Sequence, residues 1–303
     1  MLSVIPGQRT HLSSRTEAFF LPADGGRSGQ RFCLFHPAQG DVTQGSVLYI
    51  HPFAEEMNKS RRMAALQSRA LAQAGYAVLQ IDLLGCGDSS GDFGAATWQE
   101  WVSDVVQGCH WLRSRSQSQG ADPSQAPPLW LWGLRAGCIL AAQAAHQINI
   151  PCHFLFWQPP PAGKPLLQQF LRLKVAGDLL GGQSKGVMEG LRQQLASGAS
   201  VEVAGYMLSA GLASGLEQAT LLAPPDHAHR TLRLEWLELS TREDANLSPA
   251  SATTIAQWQQ AGIGVRSHIV NGPAFWQTTE IEEAPALIAA TVSAIAPVLQ
   301  ATA

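Results

Sequence analysis

Pro128-Leu129-Trp130-Leu131-Trp132 is a short apolar run that leads straight into Gly133-Leu134-Arg135-Ala136-Gly137 and then into a small-residue segment ending near His146. An apolar run of this length, bounded by Pro and Gly, reads as a buried strand, and Ala136 to His146 reads as the helix behind it. The two glycines flank a turn so tight that larger side chains would strike the strand or the helix. Residue 135 therefore stands at a helix N-terminus, where the macrodipole favours negative charge. Its guanidinium is permanently protonated, so it binds anions and cannot attack an acyl carbon.

Outward from this point, strand-like runs alternate with amphipathic segments, the pattern of a mostly parallel sheet covered by crossover helices. Upstream lie a hairpin (Glu17 to Leu21, Arg31 to Phe35), the strand Ser46 to Ile50, a helix from Arg61 to Ala74 stopped by Gly75, and the strand Ala77 to Ile81. A helix from Thr97 to Arg113 follows, with Thr97 as N-cap and Glu100 in the capping-box position. Downstream come the strand Phe154 to Trp157, then Leu232 to Leu239, a helix at Ser251 to Ala261, the strand Val265 to Val270, and a last helix from Ala284 to about Leu299. The alternation stops at Pro159 and is replaced by helices, with Val201 to Val203 the one strand-like run. The expectation is a single α/β domain spanning residues 1–303, with a helical lid inserted at about 160–228.

The strand, the G-x-x-x-G turn and the small-residue helix have the context of the nucleophile elbow, which assigns the α/β-hydrolase fold and puts arginine where serine belongs. His51-Pro52-Phe53-Ala54-Glu55-Glu56-Met57-Asn58-Lys59 occupies the loop that supplies one oxyanion-hole N–H in this fold. Pro52 lacks a donor, so a hole would depend on Phe53 or Ala54 and on Ala136. Glu55 and Glu56 are the expected internal partners of Arg135. His51 reads as a structural hydrogen-bonder or as a base. Asp82-x-x-Gly85-x-Gly87-x-Ser89-x-Gly91 marks a pocket wall, within which Cys86 reads as packing. The acid of a triad should follow Leu232 to Leu239, where Glu243 and Asp244 lie. The base should lie in Asn271-Gly272-Pro273-Ala274-Phe275-Trp276, which contains no histidine; His268 stands three residues earlier, inside the strand. Nucleophile and base act as one unit, so a Ser-His-Asp mechanism is not supported. Cys138 is expected to point along its helix, Ser89 and Ser90 lack an evident base, and the His227-x-His229 pair lacks a third ligand.

A net charge of -3 over 303 residues gives no field that would gather nucleic acid or an anionic membrane, so an anion site must be local. The five cysteines are scattered and odd in number, and read as reduced thiols. No cofactor and no metal site is expected. The N-terminal run has no signal-type apolar core and no segment is long and apolar enough to cross a membrane, which implies a cytoplasmic protein without membrane insertion.

Taken together, His51 to Arg61, Gly133-Leu134-Arg135, Trp157-Gln158-Pro159 and Leu167-Gln168-Gln169-Phe170-Leu171-Arg172-Leu173 resemble the exosortase A system-associated hydrolase of the second type. The resemblance spans most of the chain, and the elbow arginine belongs to it. It implies a bacterial cytoplasmic protein encoded with exopolysaccharide and protein-sorting machinery, a hydrolase by fold; it implies no substrate.

Three readings follow. In the first, a protein that no longer hydrolyses binds a small anionic ligand or a partner in a pocket lined by Arg135, Glu55, Glu56, Phe53, Ala54, Ala136, Trp157 and Trp276. In the second, Glu55, Glu56 or His51 activates water for ester or acyl hydrolysis while Arg135 holds an anionic substrate, with Asp244 a further candidate. In the third, the leucine-rich lid docks on another protein or on a second copy. A solvent-reached Arg135 favours the first two, and a sealed arginine–glutamate pair the third.

Overall fold

A computed structural model describes residues 15–40, 42–117, 127–180, 186–224 and 232–297. The hairpin is β1 (Glu17–Pro22) and β2 (Gln30–His36), paired antiparallel from Glu17 opposite Phe35 to Pro22 opposite Gln30. β3 (Gly45–Ile50) is buried along its whole length and leads through His51 into α1 (Glu55–Gln73). This helix begins six residues before the expected Arg61, so Glu55 and Glu56 form its first turn and do not sit in a loop. Neither Pro nor Gly interrupts 55–73, and two carboxylates in the first turn suit the macrodipole there. β4 (Tyr76–Ile81) and α2 (Trp98–Gln117) follow. Thr97 and Glu100 form the expected capping box: Thr97 N–H donates to Glu100 Oε2 at 3.0 Å, and Glu100 N–H to Thr97 Oγ1 at 3.2 Å.

The elbow comprises β5 (Leu129–Leu134) and α3 (Ala136–Ala145), after which β6 (Cys152–Trp157) closes the first half of the sheet. The inserted region holds α4 (Lys164–Leu180), α5 (Val187–Ala196), β7 (Val201–Val203), β8 (Tyr206–Leu208) and α6 (Ala210–Gln218). β8 was not expected; it pairs with β7 through Ala204 (φ 50°) and Gly205 (φ 83°), the two positive-φ positions of a tight hairpin. The base of the insertion is tied where Ala162 bridges Thr220. The His227–His229 pair lies outside the described residues. β9 (Arg233–Ser240), α7 (Pro249–Gln260), β10 (Gly264–Asn271) and α8 (Pro285–Ile295) complete the order.

The sheet runs β1-β2-β4-β3-β5-β6-β9-β10, antiparallel across β1–β2 and β2–β4 and parallel from β4 to β10. The chain leaves β3 toward β4, then returns past it to β5, so the connections diverge on either side of β3 and β5. A crevice forms outside the carboxyl ends of strands at such a switch point. His51 and Arg135 each stand one residue past those two ends.

Side-chain alternation in the strands builds two cores. Leu129 and Leu131 join the layer that includes α2, α3, α7 and the helices α4 to α6, while Trp130, Trp132 and Leu134 join the layer with α1 and α8. Trp157 belongs to the second layer, and its indole N–H donates to Thr291 of α8 at 2.9 Å. No helix among the described residues is long and apolar enough to cross a membrane.

Candidate functional site

Gly133 and Gly137 make the elbow possible. A Cβ on Gly137 would lie 2.2 Å from the Ile50 carbonyl oxygen, and one on Gly133 would lie 2.5 Å from Cys138 N. Between them Arg135 adopts φ 56°, ψ -117°, held by its N–H donating to the Trp157 carbonyl at 3.0 Å. Ala54, at the start of α1, has nearly the same backbone (φ 49°, ψ -123°), and Gln158 after β6 has φ 46°. Such positions cost about 1–3 kcal/mol each for non-glycine residues, and here the segments that follow three adjacent strands, β3, β5 and β6, each carry one. Strain is thus concentrated at the switch point.

The guanidinium turns inward. Arg135 Nε and Nη2 lie 3.3 and 3.2 Å from the same oxygen, Glu56 Oε1, and Nη2 also donates to Gln169 Oε1 of α4 at 2.8 Å. Gln169 Nε2 completes the triangle, donating to Glu56 Oε1 at 3.3 Å. The arginine is centred 5.8 Å from the Trp276 ring, a cation–π arrangement. Side-chain exposure is 12% for Arg135 and 6% for Glu56, so the pair is nearly sealed. The cavity bounded by Phe53, Glu55, Glu56, Leu166, Gln169 and Phe170 is about 10 Å³, room for about one water.

The pairing is incomplete. Glu56 Oε2, Glu55 Oε2 and Trp276 Nε1 are buried with no hydrogen-bond partner among the described residues, three of seven such side-chain atoms in the chain's described part. Burial pushes the Glu56 carboxyl up to about 7, while the Arg135 charge pulls it down. Burial also raises the Glu55 carboxyl. Phe53 packs edge-on against Phe93, Trp101 and Phe170 above this cluster, and Ala136 N–H heads α3 with no acceptor one turn earlier.

Over residues 32–121 the chain matches the family model described as X-Pro dipeptidyl-peptidase (S15 family). No curated protein matches it in sequence. Est1E from Butyrivibrio proteoclasticus, solved with ferulic acid bound, superposes with a TM-score of 0.62 at 14% identity, covering 91% of this chain and 97% of that one. Monoglyceride lipase from Saccharomyces cerevisiae gives 0.57 at 15% identity over 96% and 98%. XC6422 from Xanthomonas campestris, an α/β serine hydrolase without lid, gives 0.52 at 12% over 94% and 95%. This is an α/β-hydrolase fold.

Arg135 stands at the sharp turn between β5 and α3, and the loops after β9 and β10 lie on the same side of the sheet order. Asp244 lies exposed in the loop after β9, and none of the hydrogen bonds around Arg135 involves it. The loop after β10 brings the Trp276 ring to Arg135. His268 stays in β10, its Nε2 3.0 Å from Glu235 Oε2. His51 is fully engaged: Nδ1 lies 2.8 Å from the Pro52 carbonyl, so it carries the proton, and Nε2 accepts from Leu83 N–H at 3.3 Å. Burial lowers its pKa, which keeps the ring neutral. The structure therefore gathers Arg135, Glu55, Glu56, Phe53 and Trp276, and leaves Asp244 and the Trp157 side chain elsewhere. All five cysteines are free and buried; the Cys138 thiol donates to the Gly133 carbonyl at 3.2 Å and burial raises its pKa well above the ordinary value, so it stays protonated. Ser89 holds the strand end, donating to the Asp82 carbonyl and accepting from Phe32 N–H at 2.8 Å. Among the described residues no cluster of three His, Cys, Asp or Glu is placed to hold a metal.

Gln169 is the site residue that sequence reading missed. One amide in an amphipathic lid helix carries no signal of its own; its neighbour in space, Arg135, is separated by 34 positions.

Proposed function

We propose that this α/β-hydrolase-type protein is a cytoplasmic component of an exosortase and exopolysaccharide system that has lost serine hydrolysis and uses Arg135 to hold a carboxylate or phosphate of a small ligand or partner. The observation that carries the reading is the strained elbow arginine facing an imperfect internal anion. Two guanidinium nitrogens share one Glu56 oxygen at 3.2 and 3.3 Å while the other oxygen has no partner. An outside carboxylate meeting the fork with both oxygens makes shorter, stronger bonds. Glu56 then acts as an internal stand-in, released when it takes up a proton or when α4 lifts Gln169. With Glu56 titrating near 7, anion affinity should be highest below that pH and fall as pH rises through it.

Isothermal titration with succinate, citrate, glucose 6-phosphate and a nucleotide sugar, on wild type, Arg135→Gln and Glu56→Gln, tests this beside an ester-hydrolysis assay. Binding lost in Arg135→Gln, with a pH slope that vanishes in Glu56→Gln and no ester turnover, supports the proposal. Turnover in wild type that disappears in Glu55, Glu56 or His51 variants would replace it with an unconventional hydrolase.

The nearly sealed pair favours a second reading, in which the lid is a docking surface for a protein partner or a second copy; Leu173, Met207 and Leu222 are its exposed large apolar side chains. No ligand binding by any of the probes, together with dimerisation in analytical ultracentrifugation, would select it.

A further inference from the structure

The elbow cavity has almost no room, yet the insertion contains an open-sided chamber of about 530 Å³ between α4, α5 and α6. That is within the roughly 300–1,000 Å³ of small-molecule sites. Its walls are made by Leu167 and Leu171 of α4, Leu195 and Ala196 of α5, and Ala210 and Ala213 of α6. Leu171 and Ala213 are buried in the lid core, so the floor is apolar and rigidly held. Small residues on α5 and α6 opposite leucines on α4 leave the space; larger residues at Ala196 or Ala213 would fill it.

Gln168, Arg192, Ser214 and Glu217 are the polar residues of the lining, and the two charged ones have unlike states. Glu217 is engaged by Lys164 Nζ at 3.6 Å. Arg192, exposed on α5, has no ion-pair partner among the described residues. The charge left over at the rim is therefore positive. An aliphatic wall beside one unmatched guanidinium is the complement of an amphiphile with an anionic head.

We propose that the chamber between α4, α5 and α6 is a second binding site, separate from the elbow, for a ligand with an aliphatic body and a carboxylate or phosphate head paired with Arg192. α4 forms the wall between the two: Leu166, Gln169 and Phe170 face the elbow cavity, and Leu167, Gln168 and Leu171 face the chamber. The chamber's lining includes neither Arg135 nor Glu56.

Titration calorimetry with three twelve-carbon amphiphiles, all below their micellar range, reads this directly: dodecanoate, dodecyl maltoside and dodecyltrimethylammonium. Wild type should bind one dodecanoate per chain, about tenfold tighter than the cationic amphiphile, the difference of one charge-assisted contact. Arg192→Gln should abolish that preference, and Ala196→Trp should weaken dodecanoate by tenfold or more by filling the chamber. Ala196 is exposed at the end of α5, so the fold should survive, and a cooperative thermal transition checks it. Equal affinity for all three amphiphiles, no binding, or undiminished binding in a folded Ala196→Trp would overturn the proposal; should that variant not fold, unchanged head-group preference in Arg192→Gln overturns it alone.

Discussion

Glu56 shows how an arginine at the elbow organises the chemistry around it. A serine there would leave the first turn of α1 facing a neutral hydroxyl; an arginine brings a buried cation that needs a counter-charge, and Glu56 supplies it from the adjacent strand's helix. Removing one member of such a pair leaves the other charge uncompensated, which costs about 3–5 kcal/mol. The pairing does not overcome desolvation, so the folded Glu56 carboxyl titrates at about 7 against an ordinary 4.5. Between those two values the folded chain keeps a proton that the unfolded chain has released, so stability falls as pH rises across this window. Chemical denaturation of wild type and Glu56→Gln at a series of pH values should show that slope in wild type and a shallower one in the variant. Parallel curves would mean that Glu56 is ionised throughout.

At the scale of elements, most of the architecture could be read from residue order because periodicity and capping are local. The Thr97–Glu100 capping box, the Gly75 stop and the wholly buried β3 and β5 all depend on neighbours within a few residues. α1 was read too short because its first turn, Glu55-Glu56-Met57, continues a loop in sequence and becomes helical only where it packs over the elbow. β8 escaped because three residues carry no periodicity; its hairpin is defined by backbone angles at Ala204 and Gly205. Gln169 was illegible for a different reason: its place depends on α4 closing over the sheet, a contact between distant segments. The partnership of Arg135 with a neighbouring acid was legible, since the α1 loop had to lie beside the elbow in this topology. The capping box gives an element-scale test. Thr97→Ala should destabilise by about 1 kcal/mol, and because each partner satisfies the other, a double cycle with Glu100→Ala should show the two losses to be less than additive, measured by urea denaturation. Strict additivity would mean that the reciprocal bonds contribute nothing together.

For the whole molecule, fold and chemistry come apart. The sheet is that of a fold shared with esterases and lipases, and its elbow is fixed by glycines at 133 and 137, by strand pairing and by two apolar layers. None of these requires a nucleophile. A serine triad would depend instead on three loops meeting with the right side chains; here the turn after β5 brings Arg135, the loop after β9 an exposed Asp244 and the loop after β10 Trp276. Restoring one part should therefore restore no activity. Arg135→Ser puts a hydroxyl back in the φ 56° corner, yet His51 already spends Nε2 on Leu83 N–H and Nδ1 on Pro52, and His268 is bound to Glu235. A serine without a general base keeps its proton and is a poor nucleophile at neutral pH. Arg135→Ser should fold, measured by its thermal transition, and should turn over p-nitrophenyl esters no faster than wild type. Turnover above that level, lost again on replacing Glu56 by Gln, would reveal Glu56 as a base that the arginine now holds in check, and would make the elbow a suppressed active site.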